Sequence, residues 1–251
     1  MIGERIGIAV LQSLCRPVDS SDYEMKHVHY DEADSLADAA AVFSDFETAV
    51  RGADVLDFGS GYGYQTMAIA KLGAKSVTGV EINQELLAAA IARAASTEAG
   101  VRFSSTIDGS YDLIYSQNSF EHFLDPDQIC SDLRAHLRPG GRIYITFAPP
   151  WLAPYGAHMR YFTHLPWVQL LFTESVVMAV RSNYRKDQAK TYTACGLGKM
   201  TIERFEQTIK RTGLQVEVCR YDCVRGMNFL AGVPMLRELF INRVSCVLKR
   251  A

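Results

Sequence analysis

The sequence predicts an α/β protein built on one doubly wound, mostly parallel sheet, and three observations carry that prediction. Short apolar runs alternate with helical patterns from Ala53 to Ala148, the rhythm of successive βα units. The first run, "ADVLDF", leads straight into Gly59, Gly61 and Gly63, a glycine loop of the kind found at the carboxyl end of a buried strand. Two more strand patterns close the chain, "LQVEVCRYDCV" and "INRVSCVLKR", and bring the expected sheet to seven strands.

Taken in order, the first fifty residues read as a helical N-terminal extension. They contain a polar and aromatic patch, "DYEMKHVHYDEAD", whose Met25, His27, His29 and Tyr30 precede the first strand and are candidates to close over a pocket. Residues 53–148 form the core. "ADVLDF" is a buried strand, "YQTMAIAKLG" a helix stopping at Gly73, and "SVTGVE" the second strand. The next helix starts at Asn83, a residue type whose side chain caps free amides. "VRFS" and "YDLIYSQ" are strands three and four, a helix runs from about Asp125 to the residues before "RPGG", and "RIYITFA" is strand five. Residues 149–199 break the rhythm and read as a lid insertion, with no strand pattern but with Trp151, Tyr155, Tyr161, Phe162, Trp167, Phe172, Tyr184 and Tyr192. Residues 200–251 supply a helix and the two closing strands, so the whole chain reads as one domain.

Composition narrows the function classes. Apolar residues make up 48% and charged residues 22% of 251, enough for a globular core throughout. A formal net charge of −2 argues against a dedicated nucleic-acid binder, which needs a basic face for phosphates, and leaves room for a local basic patch; no nucleic-acid partner is expected. The apolar window "LPWVQLLFTESVVMAV" is interrupted by Gln169 and Glu174 and is too short to span a bilayer. "MIGERIGIAVLQSLC" lacks the basic start and long apolar run of a signal peptide. No membrane partner and a cytoplasmic location are therefore the expectations. The six cysteines form no C-x-x-C pair and read as buried thiols.

The glycine loop is informative in its details. Gly59 and Gly61 fit the first two glycines of the dinucleotide fingerprint, but Tyr64 occupies the third position and the glycine falls one residue early, at Gly63. No G-K-[ST] follows, which excludes a P-loop. The pattern D-x-G-x-G-x-G from Asp57, followed by Glu81 at the end of the next strand, resembles the class I S-adenosylmethionine-dependent methyltransferases. "YDLIYSQNSFEHFLDP" and "LRPGGRIYITFAPP" extend the resemblance over about residues 53–150. It implies a Rossmann-like sheet and S-adenosyl-L-methionine as cofactor. It also implies cofactor contacts from Asp57, Gly59, Ser60, Gly61, Gly63, Glu81, Ile82 and Asn118. Glycines let the backbone approach the methionine portion, the Glu81 carboxylate suits a ribose diol, and Asp57 orients the loop or attracts the cationic end. Family members often place an adenine-binding Asp in a longer segment after strand three. Here "FSSTIDGSYD" is short, and Ser104, Ser105 or Thr106 stands in, with Ser105 the choice.

Catalytic candidates follow the fourth and fifth strands. "NSFEHF" resembles the E-x-x-E-H of ubiquinone-biosynthesis O-methyltransferases, where acids and histidine bind a divalent cation. Asn118 replaces the first acid, and no metal is expected. For Glu121 and His122 pocket structure, proton handling and metal binding stay open. In "WLAPYGAHMRYFTHLPW", His158 follows two small residues and is a candidate base. "APPW" reads as a chain turn at the lid entrance. The expected reaction is methyl transfer to a small-molecule acceptor, first at oxygen, with nitrogen, carbon or a non-methylating use of the cofactor as alternatives. A ring-lined acceptor site suits an apolar or aromatic molecule, and a homodimer is compatible with the sequence.

Overall fold

The computed structural model describes residues 2–17, 35–95 and 100–250; Met25, His27, His29 and Tyr30 lie outside them. Along the chain come α1 (Ile2–Ser13), α2 (Ala37–Val42), α3 (Phe46–Val50), β1 (Asp54–Phe58), α4 (Tyr64–Lys71), β2 (Ser76–Val80) and α5 (Gln84–Ala94). β3 (Val101–Ser104), β4 (Tyr111–Gln117), α6 (Pro126–His136) and β5 (Leu137–Phe147) complete the first half of the sheet. Residues 149–199, the lid insertion of the sequence reading, carry α7 (Val168–Leu171) and α8 (Glu174–Arg181), and α9 (Ile202–Arg211), β6 (Leu214–Cys223), α10 (Pro234–Phe240) and β7 (Ile241–Arg250) follow.

The strands form a seven-stranded sheet in the order β3-β2-β1-β4-β5-β7-β6. β1 to β5 pair in parallel, and β7 inserts antiparallel between β5 and β6. Strand order reverses between β1 and β4, which opens a crevice at their carboxyl ends. Successive strand residues face opposite sides. Leu56, Ile114, Ile143 and Ile145 pack on one face beneath Leu133 of α6 and Phe205 and Ile209 of α9. Val55, Leu113, Tyr115 and Tyr144 pack on the other, against Phe43, Phe46, Val50 and Ile69.

Helix ends follow the sequence signals. Asn83 caps α5, its side chain accepting from the amides of Glu85 and Leu86. Asp125 caps α6 through the Gln128 amide, with Pro126 in the first turn, and Gly73, at φ +92°, ends the α4 turn.

Three features differ from the sequence reading. β5 begins at Leu137, not Arg142, because Leu137 pairs with Tyr111 across a register shift. α10 occupies part of the β6–β7 connection, which had no assigned element. The N-terminal extension is also divided between two bodies. α2 and α3 pack on the sheet, whereas Leu11 of α1 lies in a separate core with Phe162, Val176, Val177 and Tyr192 of the lid. Arg16 N–H donates to Phe162 O at 2.8 Å and the Tyr184 hydroxyl to Arg16 O at 2.6 Å. The lid thus borrows the first helix of the chain as a structural element.

Candidate functional site

A cleft of about 420 Å³ opens at the carboxyl ends of β1, β4 and β5, lined by Gly59, Ser60, Gly61, Gln117, Asn118 and Ala148 among others. The amides of Gly59 and Ser60 both donate to Val80 O, at 2.9 and 3.0 Å, which folds the loop over the end of β2. Gly61 N–H donates to Glu81 Oε2 at 2.9 Å, and Asn83 N–H to Glu81 Oε1 at 2.8 Å. One carboxylate therefore clamps the glycine loop to the β2–α5 turn. A carboxylate has roughly four acceptor sites, so Glu81 keeps capacity for a diol at the cleft edge.

The glycines serve different purposes. Gly61, at φ +53°, would carry a Cβ with nothing within 4 Å, so a bare backbone there leaves the cleft open. Gly59 would collide with the Ser119 side chain. Gly63 belongs to packing: at φ +81° it begins α4, and its Cβ would lie 2.6 Å from Phe103 Cζ. Gly63 is not among the residues that line the cleft.

Asp57 is likewise set beneath the loop. It is fully buried, and its Oδ2 accepts from Thr66 Oγ1 at 2.6 Å in the first turn of α4, while Oδ1 has no partner. Burial pushes its carboxyl up to about 7, the Thr66 bond opposes, and the Glu81 charge adds to the rise. A group so placed ties the start of α4 to the end of β1 beneath the loop. Ile82 and Ser105 stand exposed beyond the ends of adjacent strands β2 and β3, outside the cleft lining; Ile82 is 81% exposed, an apolar side chain with a free face.

Across the cleft from the loop lies the turn after β4. Asn118 takes φ +51°, a conformation asparagine tolerates better than most residues. Glu121 follows in a short 3-10 turn, 4% exposed, with Oε2 unpartnered. Burial pushes its carboxyl up to about 8, against hydrogen bonds from its own amide and that of Ala148. A shift in this direction favours the protonated form of the carboxyl towards neutral pH. His122 sets its Nδ1 2.9 Å from Gly196 O, the geometry of an Nδ1–H donor, which leaves Nε2 as an acceptor. The His158 ring lies 5.5 Å from the His122 ring; its Nε2 is buried and unpartnered. Burial, then the neighbouring His122, lowers His158 to about 4, so it is a neutral imidazole. The three catalytic candidates thus converge on one wall. Gly156 is small for a different reason than ligand approach, since a Cβ there would collide with the carbonyl oxygens of Pro150 and Trp151.

Several cleft residues escaped the sequence reading: Ser35, Tyr62, Tyr64, Gln65 and Gln117. Gln117 was detectable, because it ends β4 beside the crevice. The lid rings mostly turn away from it. Trp151 meets Tyr192 edge-on at 4.8 Å and Phe162 stacks on Tyr184 at 5.1 Å, inside the lid's own core. Among the described residues no helix is long and apolar enough to cross a membrane, and no group of three or more His, Cys, Asp or Glu side chains is placed to hold a metal ion.

Comparison with known proteins agrees with this geometry. Residues 56–145 match a family described as a methyltransferase domain. An uncharacterized methyltransferase of Mycobacterium ulcerans (strain Agy99) is 29% identical over 223 residues, 84% of each chain. A crystal structure of an S-adenosylmethionine-dependent methyltransferase from Mesorhizobium loti superposes with a TM-score of 0.56 at 20% identity, covering 85% of this chain and 99% of that one. Magnesium protoporphyrin IX methyltransferase from Synechocystis PCC 6803, with bound SAH, superposes with a TM-score of 0.57 at 13% identity, covering 98% and 100%. The sheet order, the strand-end cleft and the glycine loop thus stand together with a methyltransferase domain match over residues 56–145, and the chain has the fold of the S-adenosylmethionine-dependent methyltransferases it resembles.

Proposed function

We propose that this protein transfers a methyl group from S-adenosyl-L-methionine to a small-molecule acceptor, at oxygen. The observation that carries the reading is the Glu81 clamp on Gly61, at an open strand end that faces the His158 and His122 rings. The residues fit the cofactor. Backbone at Gly59, Ser60 and Gly61 is bare for close approach, Glu81 has acceptor capacity for the ribose, and Asn118 borders the methionine side. Ile82 and Ser105 flank the outer edge, where an adenine would cover the exposed Ile82 face. Asp57 and Gly63 hold the loop in shape from below.

When bound, S-adenosylmethionine supplies a sulfonium-activated methyl carbon, whose bond to sulfur breaks as the bond to the acceptor oxygen forms. The protein's tasks are alignment, exclusion of water and removal of one proton. His158 is neutral and has an empty Nε2, so it accepts the hydroxyl proton at that atom. His122 is the exposed partner through which the proton leaves. Glu121, its carboxyl raised by burial and its Oε2 unpartnered, is placed to offer a hydrogen bond to the acceptor.

Incubation with methyl-labelled cofactor and a metabolite extract tests the proposal. Label is expected in a small-molecule product. Tight cofactor binding with label in no product would refute transfer, and tighter binding of a dinucleotide than of SAH would refute the cofactor.

A further inference from the structure

All six cysteines carry free thiols, and two of them face each other across the antiparallel part of the sheet. Cys219 of β6 stands directly opposite Cys246 of β7, between the pairs Val218–Val247 and Arg220–Ser245. Directly opposed residues of an antiparallel pair share one face of the sheet, with Cα atoms about 4.5–5.5 Å apart. A disulfide spans Cα separations of about 4.4–6.8 Å, so this pair can close without moving either strand. The other thiols have other neighbours. Cys223 opposes Ile241, Cys15 donates to Leu11 O at 3.0 Å, Cys195 meets Met178 Sδ at 3.9 Å, and Cys130 is fully buried on α6.

The two sulfurs differ in access and in acidity. Cys246 is fully buried in the core that holds Ile145, Phe147 and Phe205, whereas Cys219 packs at the border of that core and is partly exposed. β6, which carries Cys219, is the last strand of the sheet. The side chains also hydrogen-bond to each other. The bond lowers the Cys219 thiol, against burial, and raises the Cys246 thiol, with burial adding to the rise. A thiolate is the form that attacks a disulfide, so Cys219 is the attacking sulfur and Cys246 the resolving one.

We propose that Cys219 and Cys246 form a dithiol modification site, oxidised by a small-molecule disulfide to a bond that staples β6 to β7. The Cys219 thiolate attacks one sulfur of the oxidant, whose S–S bond breaks as a mixed disulfide forms and the first small thiol leaves. Cys246 then loses its proton and attacks the Cys219 sulfur, and the second small thiol leaves. The two protein thiols give up two electrons and two protons in all, and the oxidant takes them up as two thiols. The closed loop contains α10, and its Phe240 meets Trp167 edge-on at 5.9 Å. Cross-linking a loop of this kind stabilises the fold chiefly by restricting the unfolded chain.

The test uses the full chain, reduced and then incubated with 2-hydroxyethyl disulfide under native conditions. Trypsin without reductant tells the cysteines apart, because Thr212–Arg220 carries Cys219, Tyr221–Arg225 carries Cys223 and Val244–Lys249 carries Cys246. The first and third of these peptides should appear joined, with the intact chain lighter by two hydrogens. The thermal midpoint should rise by about 4 °C or more and fall back on reduction. Cys246→Ala should trap the hydroxyethylthio group on Cys219, and Cys219→Ala should slow modification of Cys246 by about tenfold or more. A hydroxyethylthio group on Cys219 of the unsubstituted chain with no joined peptide, or a joined peptide formed only in denaturant, overturns the site. A joined protein whose midpoint does not rise overturns the staple. Peptide mapping of the unsubstituted chain decides the matter even where a variant fails to fold.

Discussion

Substituting Glu121 by Gln isolates the electrostatic character of the cleft wall. The native carboxyl is pushed from 4.5 to about 8 by burial, while the unfolded chain ionises it at its ordinary value. Between these limits the native state binds more protons than the unfolded state, so this group's stabilising contribution is present below 4.5 and is lost as pH rises towards 8. At about 1.4 kcal/mol per pH unit, the loss is on the order of 3 kcal/mol between about pH 5.5 and about pH 8. Gln keeps the shape and the acceptor for the Ala148 amide but does not titrate. Urea unfolding of both proteins at the two pH values should therefore show E121Q losing roughly 3 kcal/mol less than wild type. Asp57, held near 7, acts in the same direction, and His158, lowered to about 4, acts oppositely and only in acid. Both cancel in the difference. Parallel profiles for the two proteins, within about 0.5 kcal/mol, would show that Glu121 is ionised in the folded protein and would remove its role as a donor.

Other substitutions separate cofactor binding from turnover. Glu81→Ala removes the acceptor for Gly61 and Asn83 amides and should weaken SAH binding by about 1–3 kcal/mol; unchanged affinity by calorimetry contradicts the clamp. His158→Ala should lower methyl transfer to an identified acceptor by about tenfold or more with SAH affinity unchanged, and an equal loss in both would assign the ring to cofactor binding instead. Gly198→Ala would drive a Cβ into the Phe123 backbone, at a glycine whose amide donates to Glu121 O at 2.8 Å. It should cost about 1–3 kcal/mol of stability and reduce turnover more than SAH affinity; unaltered turnover would show that the turn tolerates the lid's displacement.

What was legible in the sequence is what is local. "ADVLDF" into three glycines, Gly73 ending a helix and Asn83 starting the next each depend on a few neighbouring residues, and each is seen in the fold. Contacts between distant segments were not legible. Nothing in "MIGERIGIAVLQSLC" indicates that Leu11 packs with Phe162 and Val176, because an amphipathic helix does not name its partner. The same limit explains Gly63, which has the residue type and spacing of a cofactor glycine but is made necessary by Phe103, forty residues later. The aromatics of residues 149–199 fit either an acceptor lining or a core of their own in the sequence, and only the fold shows that several of them pack on one another. Arg181, Arg185 and Lys186 line a second cavity that shares His122 and His158 with the cleft, a placement of the stretch "RSNYRKD" that only folding reveals.

The two sides of the cleft rest on different cores. The donor side is backbone and one strand-end carboxylate, anchored in the sheet core by Asp57 and Val80. The 149–199 segment across the cleft is carried on a core shared with α1 and not with the sheet. Several ties join lid to sheet body near the cleft: Trp151 N–H to Met200 O at 2.6 Å, Gly198 N–H to Glu121 O, and His122 Nδ1 to Gly196 O. Two of these three end on the Glu121–His122 turn. The glycine loop's own bonds run instead to Val80 and Glu81, so the 149–199 segment is tied to the turn after β4 by bonds distinct from those that shape the loop.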